Sequence, residues 1–343
     1  MTYWSIPLTG IRGRRPRNSE WKNAFKHDTR IIVEGDCPSI INLPHFPGMS
    51  LSHYEYNGED LSSKFQGNYD FNHLLPHLPT TYCEIIIDDS EWKRPFMPDY
   101  PGHNEDEKLQ TIMMASSTLV ATLRLIGFNQ FITPCILKNG TLSTAVNSDE
   151  KSIEFIPTNP FLFPTPLLEL EKSKARLSKS DFEWVCKSHI ILYQMCFIED
   201  LTPAMSAMKY YYQDMPTRAR MTIIWAAIED LLKPKGDKIR FGIRARGAML
   251  LGRTDEEVEI LFKQIGNLYG KRSAATHGRR FTYMQGLKPD ISDNRLRTDI
   301  RALMTSYQLL CELLIKIIDR GSLFNELELQ ELEESYSEKF SSE

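Results

Sequence analysis

Apolar and polar positions follow two different periods along this chain, and the change falls near residue 170. From Arg30 to about Pro166, the runs RIIVEG, YCEIIIDD, QFITPCIL and TLSTAVN are β-branched or aromatic and are bounded by turn residues, as strands are. Asn139-Gly140 separates two of these runs and predicts a two-residue hairpin, because both residues tolerate positive φ. One helix, about Glu105 to Ile126, interrupts the strands. Its acidic start, Glu105, Asp106 and Glu107, suits the positive end of a helix dipole. The segment PTNPFLFPTP, Pro157 to Pro166, reads as the linker that closes an α+β domain over residues 1–166.

From 171 to 343 the apolar positions instead recur at three- and four-residue steps. Ser180-Asp181 is expected to open one helix, with others near 203–213, 217–233, 238–251, 255–271 and 292–320. Leu296, Ile300, Leu303, Met304, Tyr307, Leu310, Cys311, Leu314 and Ile318 form the stripe of a long helix packed in a bundle. The acidic stretch from Glu326 is a peripheral helix or a frayed tail. The expected architecture is an α+β domain followed by an all-α domain whose core spans about 202–320.

Length and composition fit this division, since 343 residues suffice for two domains with separate cores. The six cysteines, Cys37, Cys83, Cys135, Cys186, Cys196 and Cys311, form no CxxC pair and suit the reduced thiols of a cytoplasmic protein. The N-terminal arginines precede no apolar run, so no secretory leader is expected. The longest apolar stretch, about Leu109 to Gly127, contains Gln110 and Arg124 and reads as a buried helix rather than a membrane span. A net charge of −4 argues against a nucleic-acid partner, but it is an average. Between Pro216 and Met304 stand eighteen lysine and arginine residues against ten aspartates and glutamates, a local balance of +8. Such a region can bind a phosphate backbone, although a solvated face is the commoner origin of a charge run.

The chemically informative segment is LYGKRSAATHGRRF, Leu268 to Phe281, with Arg272 and His277 five positions apart among Lys271, Arg279 and Arg280. Imidazole titrates near neutral pH and can take a proton from a ribose 2′-hydroxyl or give one to a departing 5′-oxygen. A guanidinium stays charged and can bridge two phosphate oxygens. Five residues of ideal helix rotate the two side chains apart by roughly 140°, so a straight helix does not put them on one face. Gly278 suggests that the helix ends at His277; a distorted last turn, or a second copy of the chain, would then bring the groups together. On spacing alone, Arg and His simply offset the negative end of a helix dipole.

The ordered run WAAIEDLLKPKGDKIRFGIRARGAMLLGRTDEEVEILFKQIGNLYGKRSAATHG, Trp225 to Gly278, resembles the HEPN superfamily (higher eukaryotes and prokaryotes nucleotide-binding), in particular its Apea-like branch. The likeness rests on a helix with central Glu229, an arginine-containing helix ending at Ala248 to Gly252, an acidic helix, and LYxxRSxxxHG, within roughly Thr202 to Arg320. It implies an all-α HEPN bundle, a homodimer, and a metal-independent endoribonuclease without cofactors, in bacterial anti-phage defence. It also implies that His277 is the general acid/base and Arg272 the phosphate-stabilising residue. Lys271, Ser273, Arg279 and Arg280 would then contact RNA, with Glu229 and Tyr269 supporting. Ser273 stands where many HEPN nucleases carry Asn, Asp or His, and an Arg-Ser pair is usual in the Apea-like branch. The N-terminal domain would regulate or sense, with a phage-derived component as one trigger. The alternative the family allows is a non-catalytic module that binds RNA, a nucleotide or a protein.

Other chemistry is weaker. His73 and His77 have the spacing of a helical metal pair, but Pro76 disfavours the helix, and no metal is expected. Cys186 and His189 lie in the apolar run FEWVCKSHIILYQMCF, where a hydrogen-bonded core histidine is expected. Tyr210, Tyr211 and Tyr212 are expected to pack in the bundle rather than stack on bases. The absence of GxxxxGK[ST], strand-linked GxGxxG and GxSxG argues against an ATPase, a dinucleotide enzyme and an α/β-hydrolase.

Overall fold

The computed structural model describes residues 3–10, 32–33, 40–56, 80–88, 90–92, 105–126, 131–132, 135–141, 154–157, 176–198, 201–211, 217–234, 238–277 and 294–340. Among them are nine strands and eight helices, and the chain separates into two compact units, Met1–Ile190 and Ile191–Glu343. The strands all belong to the first unit, and the second is helical.

The strands are β1 (Tyr3–Gly10), β2 (Ile32–Val33), β3 (Ile40–Asn42), β4 (Met49–Tyr56), β5 (Thr80–Asp88), β6 (Phe131–Ile132), β7 (Cys135–Lys138), β8 (Glu154–Pro157) and β9 (Arg176–Leu177). Seven of them form an antiparallel sheet in the order β3-β4-β5-β1-β7-β8, with β6 also on β1, while β2 pairs with β9 in parallel. Period-two burial is clear where Met49 and Leu51 stand opposite Ile87 and Ile85, all four almost wholly buried. The helix α1 (Glu105–Leu125) adds Ile112, Ala115, Leu119 and Leu123 to the core at helical spacing. At the β4 end, Gly48 takes φ +79°, and a Cβ there would sit 2.7 Å from the Trp92 nitrogen. Only glycine fits that turn.

Three expectations for this unit need correction. The strand β1, at the centre of the sheet, was not anticipated, and it contains Pro7, a residue uncommon in sheet interiors. Its register explains the tolerance: β7 pairs with Trp4 and Ser5 and β6 with Thr9 and Gly10, so Pro7 falls in the gap between two partners on that edge. The strand pairing with β7 is β8, so Asn139-Gly140 does not close a two-residue hairpin, although Asn139 does take φ 66°. Residues 142–147, expected as its second strand, lie outside the described residues. Finally, the helix α2 (Lys179–Ile198) is capped by Ser178 rather than Ser180: Ser178 Oγ accepts from the Asp181 N–H at 3.2 Å, and Asp181 Oδ2 accepts from the Ser178 N–H at 2.7 Å. The division between units falls within α2, whereas the expected linker, apart from Pro157, lies outside the described residues.

The second unit contains α3 (Thr202–Tyr211), α4 (Thr217–Leu232), α5 (Ile239–Leu251), α6 (Asp255–Thr276), α7 (Asn294–Arg320) and α8 (Glu326–Phe340). The predicted stripe of α7 is buried at Ile300, Leu303, Tyr307, Leu310, Leu314 and Ile318. Trp225 of α4 is completely buried and donates its indole N–H to Ser306 Oγ of α7 at 3.0 Å. Tyr211 stacks on Tyr307 with ring centroids 3.8 Å apart, which places it in bundle packing. The acidic C-terminal segment is an ordered helix, because Tyr336 stacks on Phe262 of α6 and Glu333 pairs with Arg246 of α5 at 2.8 Å. No helix among the described residues is long and apolar enough to cross a membrane.

Candidate nucleic-acid site at the end of α6

The local sequence starts α6 firmly and lets it run into the motif. Thr254 caps it by accepting the Glu257 N–H at 3.2 Å, and Asp255, Glu256 and Glu257 occupy its first turn, where acidic charge is favourable. The helix runs to Thr276, beyond the 271 that periodicity marked, and His277 is its C-cap residue, with φ −88° and ψ 11°, as Gly278 suggested. The His277 N–H still donates to the Ser273 carbonyl at 3.0 Å, so the last turn remains α-helical. Of the two ways to bring the groups together, the distorted last turn is therefore absent, and Arg272 and His277 keep the roughly 140° separation of a regular helix.

The two side chains have different surroundings. Arg272, 21% exposed, faces α4, where its Nη2 donates to Glu229 Oε2 at 3.1 Å and lies 2.8 Å from Oε1 without hydrogen-bond alignment. Its guanidinium carbon lies 5.4 Å from the centroid of the Tyr269 ring, and Tyr269 meets Trp225 edge-on at 5.4 Å. Glu229, Tyr269 and the fixed Trp225 thus hold the guanidinium, whose Nε has no hydrogen-bond partner among the described residues. His277 is exposed at the helix end. Lys271 Nζ is 3.2 Å from Asp299 Oδ1 of α7, so part of its charge is already paired. Ser273 contributes its carbonyl to the His277 N–H. Arg279 and Arg280 lie outside the described residues.

Much of the basic charge counted in this region is used internally. Arg218 donates to the Thr276 carbonyl at 3.0 Å, Arg220 to Tyr211 at 3.2 Å, Arg240 to Gly266 at 3.3 Å and Arg244 to Phe262 at 3.1 Å. Arg246 holds the carbonyls of Leu232 and Lys233 at 2.9 and 2.5 Å as well as Glu333. At Gly266 a Cβ would lie 2.7 Å from Arg244 Nε, so the absence of a side chain is what admits the guanidinium. These arginines satisfy carbonyls, several of them at helix ends that would otherwise lack partners. A carbonyl leaves the guanidinium charge in place, so these bonds fix where the charge sits, and Arg246 also meets a carboxylate.

No family model, curated protein or solved structure matches this chain at a significant level. The site stands on its own geometry. Asp299 and Arg218, which hold Lys271 and the last turn of α6, were not singled out in the sequence, because their partners are 28 and 58 residues away and no local spacing marks them. Among the described residues no group of three or more His, Cys, Asp or Glu side chains could hold a metal ion. His73, His77 and Cys37 lie outside them.

Glu229 is held above its ordinary value of 4.5 by burial, an effect the Arg272 charge only partly offsets. The folded state therefore binds this proton more tightly than the unfolded chain. That stabilisation is complete below pH 4.5 and is lost as pH rises through the raised value. Glu229→Gln lacks this dependence, so its melting temperature should gain on the wild type as pH climbs from 4.5 towards neutrality. Parallel thermal melts of the two proteins check this; a difference that stays constant with pH counts against the assignment.

Proposed function

We propose that this chain is a metal-independent endoribonuclease of HEPN type, acting in the cytoplasm on RNA as a toxin-like effector of anti-phage defence. The observation that carries the reading is a guanidinium fixed by Glu229 and Tyr269 five residues before an exposed histidine at the end of the same helix. In this reading the ribose 2′-hydroxyl attacks the adjacent phosphorus as its proton passes to one His277 imidazole. The P–O5′ bond breaks, and the departing 5′-oxygen takes a proton from an imidazolium. The products are a 2′,3′-cyclic phosphate and a 5′-hydroxyl. Arg272 stabilises the charge that builds on the non-bridging oxygens. No cofactor enters, since the nucleophile belongs to the substrate.

The 140° separation within one helix favours a homodimer, in which Arg272 and His277 of two protomers line one cleft. The first unit would restrain the nuclease until a trigger reaches it. The pairing of Arg272 with Glu229 favours a second reading, a non-catalytic module that binds RNA, a nucleotide or a protein, because a guanidinium already held by a carboxylate has less charge to offer phosphate.

Purified full-length protein should cleave single-stranded RNA in EDTA and leave cyclic phosphate ends. A single 2′-deoxy substitution at the scissile nucleotide should stop cleavage there, because the nucleophile is gone. Cleavage at the deoxy position excludes this chemistry. Salt-sensitive binding without products over long incubation selects the non-catalytic module.

A further inference from the structure

An open groove of about 450 Å³ lies between α6 and α7, on the part of α6 that precedes Arg272. Its apolar lining includes Leu268 and Ala302, and Ile260, 62% exposed, stands at one end. Asn267 and Gln264 supply exposed amides, and Lys263 and Arg301 supply one cation from each wall. An apolar floor, amide edges and flanking cations match the three parts of a nucleotide: a flat base, its donor and acceptor edge, and a phosphate.

The charge along α6 sets the direction. Asp255, Glu256, Glu257 and Glu259 occupy its start, whereas Lys263, Lys271, Arg272 and His277 follow. Lys263 is 3.6 Å from Glu259, but both side chains are exposed and such a pair is weak. An anion laid along the helix is therefore repelled at the first turn and attracted from Lys263 onward. Lys263, Gly270 and His277 recur at seven-residue steps and so lie along one exposed line. A Cβ at Gly270 would touch nothing within 4 Å, so this line is open between the groove and His277 among the described residues. From Lys263 to His277 the helix rises about 21 Å, the length of about six nucleotides of stacked strand.

We infer that the α6–α7 groove is a subsite for single-stranded RNA that holds a base and its phosphates up to about six nucleotides from the scissile bond at His277. This rests on the ribonuclease reading. It adds that substrate length on one side of the cut is sensed by a groove whose cations, Lys263 and Arg301, lie outside the motif.

The test uses full-length wild type and the double variant Lys263→Glu, Arg301→Glu, both positions exposed, with circular dichroism to verify folding. Cleavage is followed on oligoribonucleotides lengthened stepwise on either side of the cut, and binding on uncleavable 2′-O-methyl versions. For wild type, kcat/KM should rise with length on one side and level off at about six added nucleotides. In the variant this gain should vanish, with Kd for the long oligonucleotide at least about tenfold weaker and its salt slope reduced by about 2, while the shortest substrate is cut as before. Equal KM and Kd in the two proteins overturns the subsite and leaves the ribonuclease reading standing. A wild type that binds RNA but never cuts it removes the ribonuclease reading, and the two Kd values still decide the groove. A variant that changes only sedimentation, not RNA binding, assigns the groove to self-association and overturns the inference.

Discussion

His277→Ala is expected to lower RNA cleavage by about 10²- to 10⁴-fold, the usual contribution of a positioned acid–base group. The melting temperature should scarcely change. His277 caps α6 through its backbone N–H, which alanine keeps, and its side chain is exposed. The paired variant Arg272→Ala should behave differently, losing activity and also stability, because it strips Glu229 of the guanidinium that partly offsets the cost of its burial. Side-by-side rates and melts of the two proteins separate the roles. A His277→Ala protein that cleaves at the wild-type rate ends the assignment of His277.

Acid should destabilise the protein through His189, a residue of the first unit. The ring is almost wholly buried, stacked on Phe46 at 4.1 Å, with Nε2 2.9 Å from the Ala115 carbonyl and 3.1 Å from Thr118 Oγ1. A carbonyl can only accept, so Nε2 carries the proton, and Nδ1, without a partner among the described residues, is bare. Protonating Nδ1 places a charge in the core with nothing to receive it. Burial accordingly lowers the His189 pKa from 6.5 to about 3. A depressed histidine stabilises the fold above the unfolded value of 6.5, and this is lost progressively as pH falls towards 3. The loss is about 1.4 kcal/mol per pH unit, or about 2 kcal/mol by pH 5. His189→Gln should flatten this part of the profile. Urea denaturation of both proteins from pH 7.5 down to 5 measures it, and parallel wild-type and variant slopes would show that His189 does not carry the effect.

The helical half was the more legible in the sequence. Helix positions depend on three- and four-residue spacing and on local caps, and Thr254 with the acidic turn after it lies within a few residues of what it caps. The observed helices from 202 onward follow the expected ones closely, and the stripe on α7 is buried as read. The sheet was harder to read, because a strand's partners are distant. Pro7 stands inside β1, where the staggered pairing of β6 and β7 accommodates it. The hairpin at Asn139 failed for a related reason: a residue suited to a tight turn does not determine which strand returns.

At the candidate site, residue types and order were visible along the chain: Arg272, His277, Glu229 and Tyr269 all stand in the run from Trp225 to Gly278. Their arrangement was not. Spacing alone allowed a distorted last turn at the end of α6, and the intact bond from the His277 N–H to Ser273 removes it. The charge count likewise could not tell which arginines are anchored to carbonyls of neighbouring helices. By itself, then, the sequence determined the change from strand to helix period, most of the helices and the candidate chemistry, because these depend on neighbours within a few residues. Only the tertiary structure decided the centre of the sheet, the partners of Arg272 and Lys271, and the groove beside α6, because those follow from side chains that meet across tens of residues, where distance along the chain carries no information about distance in space.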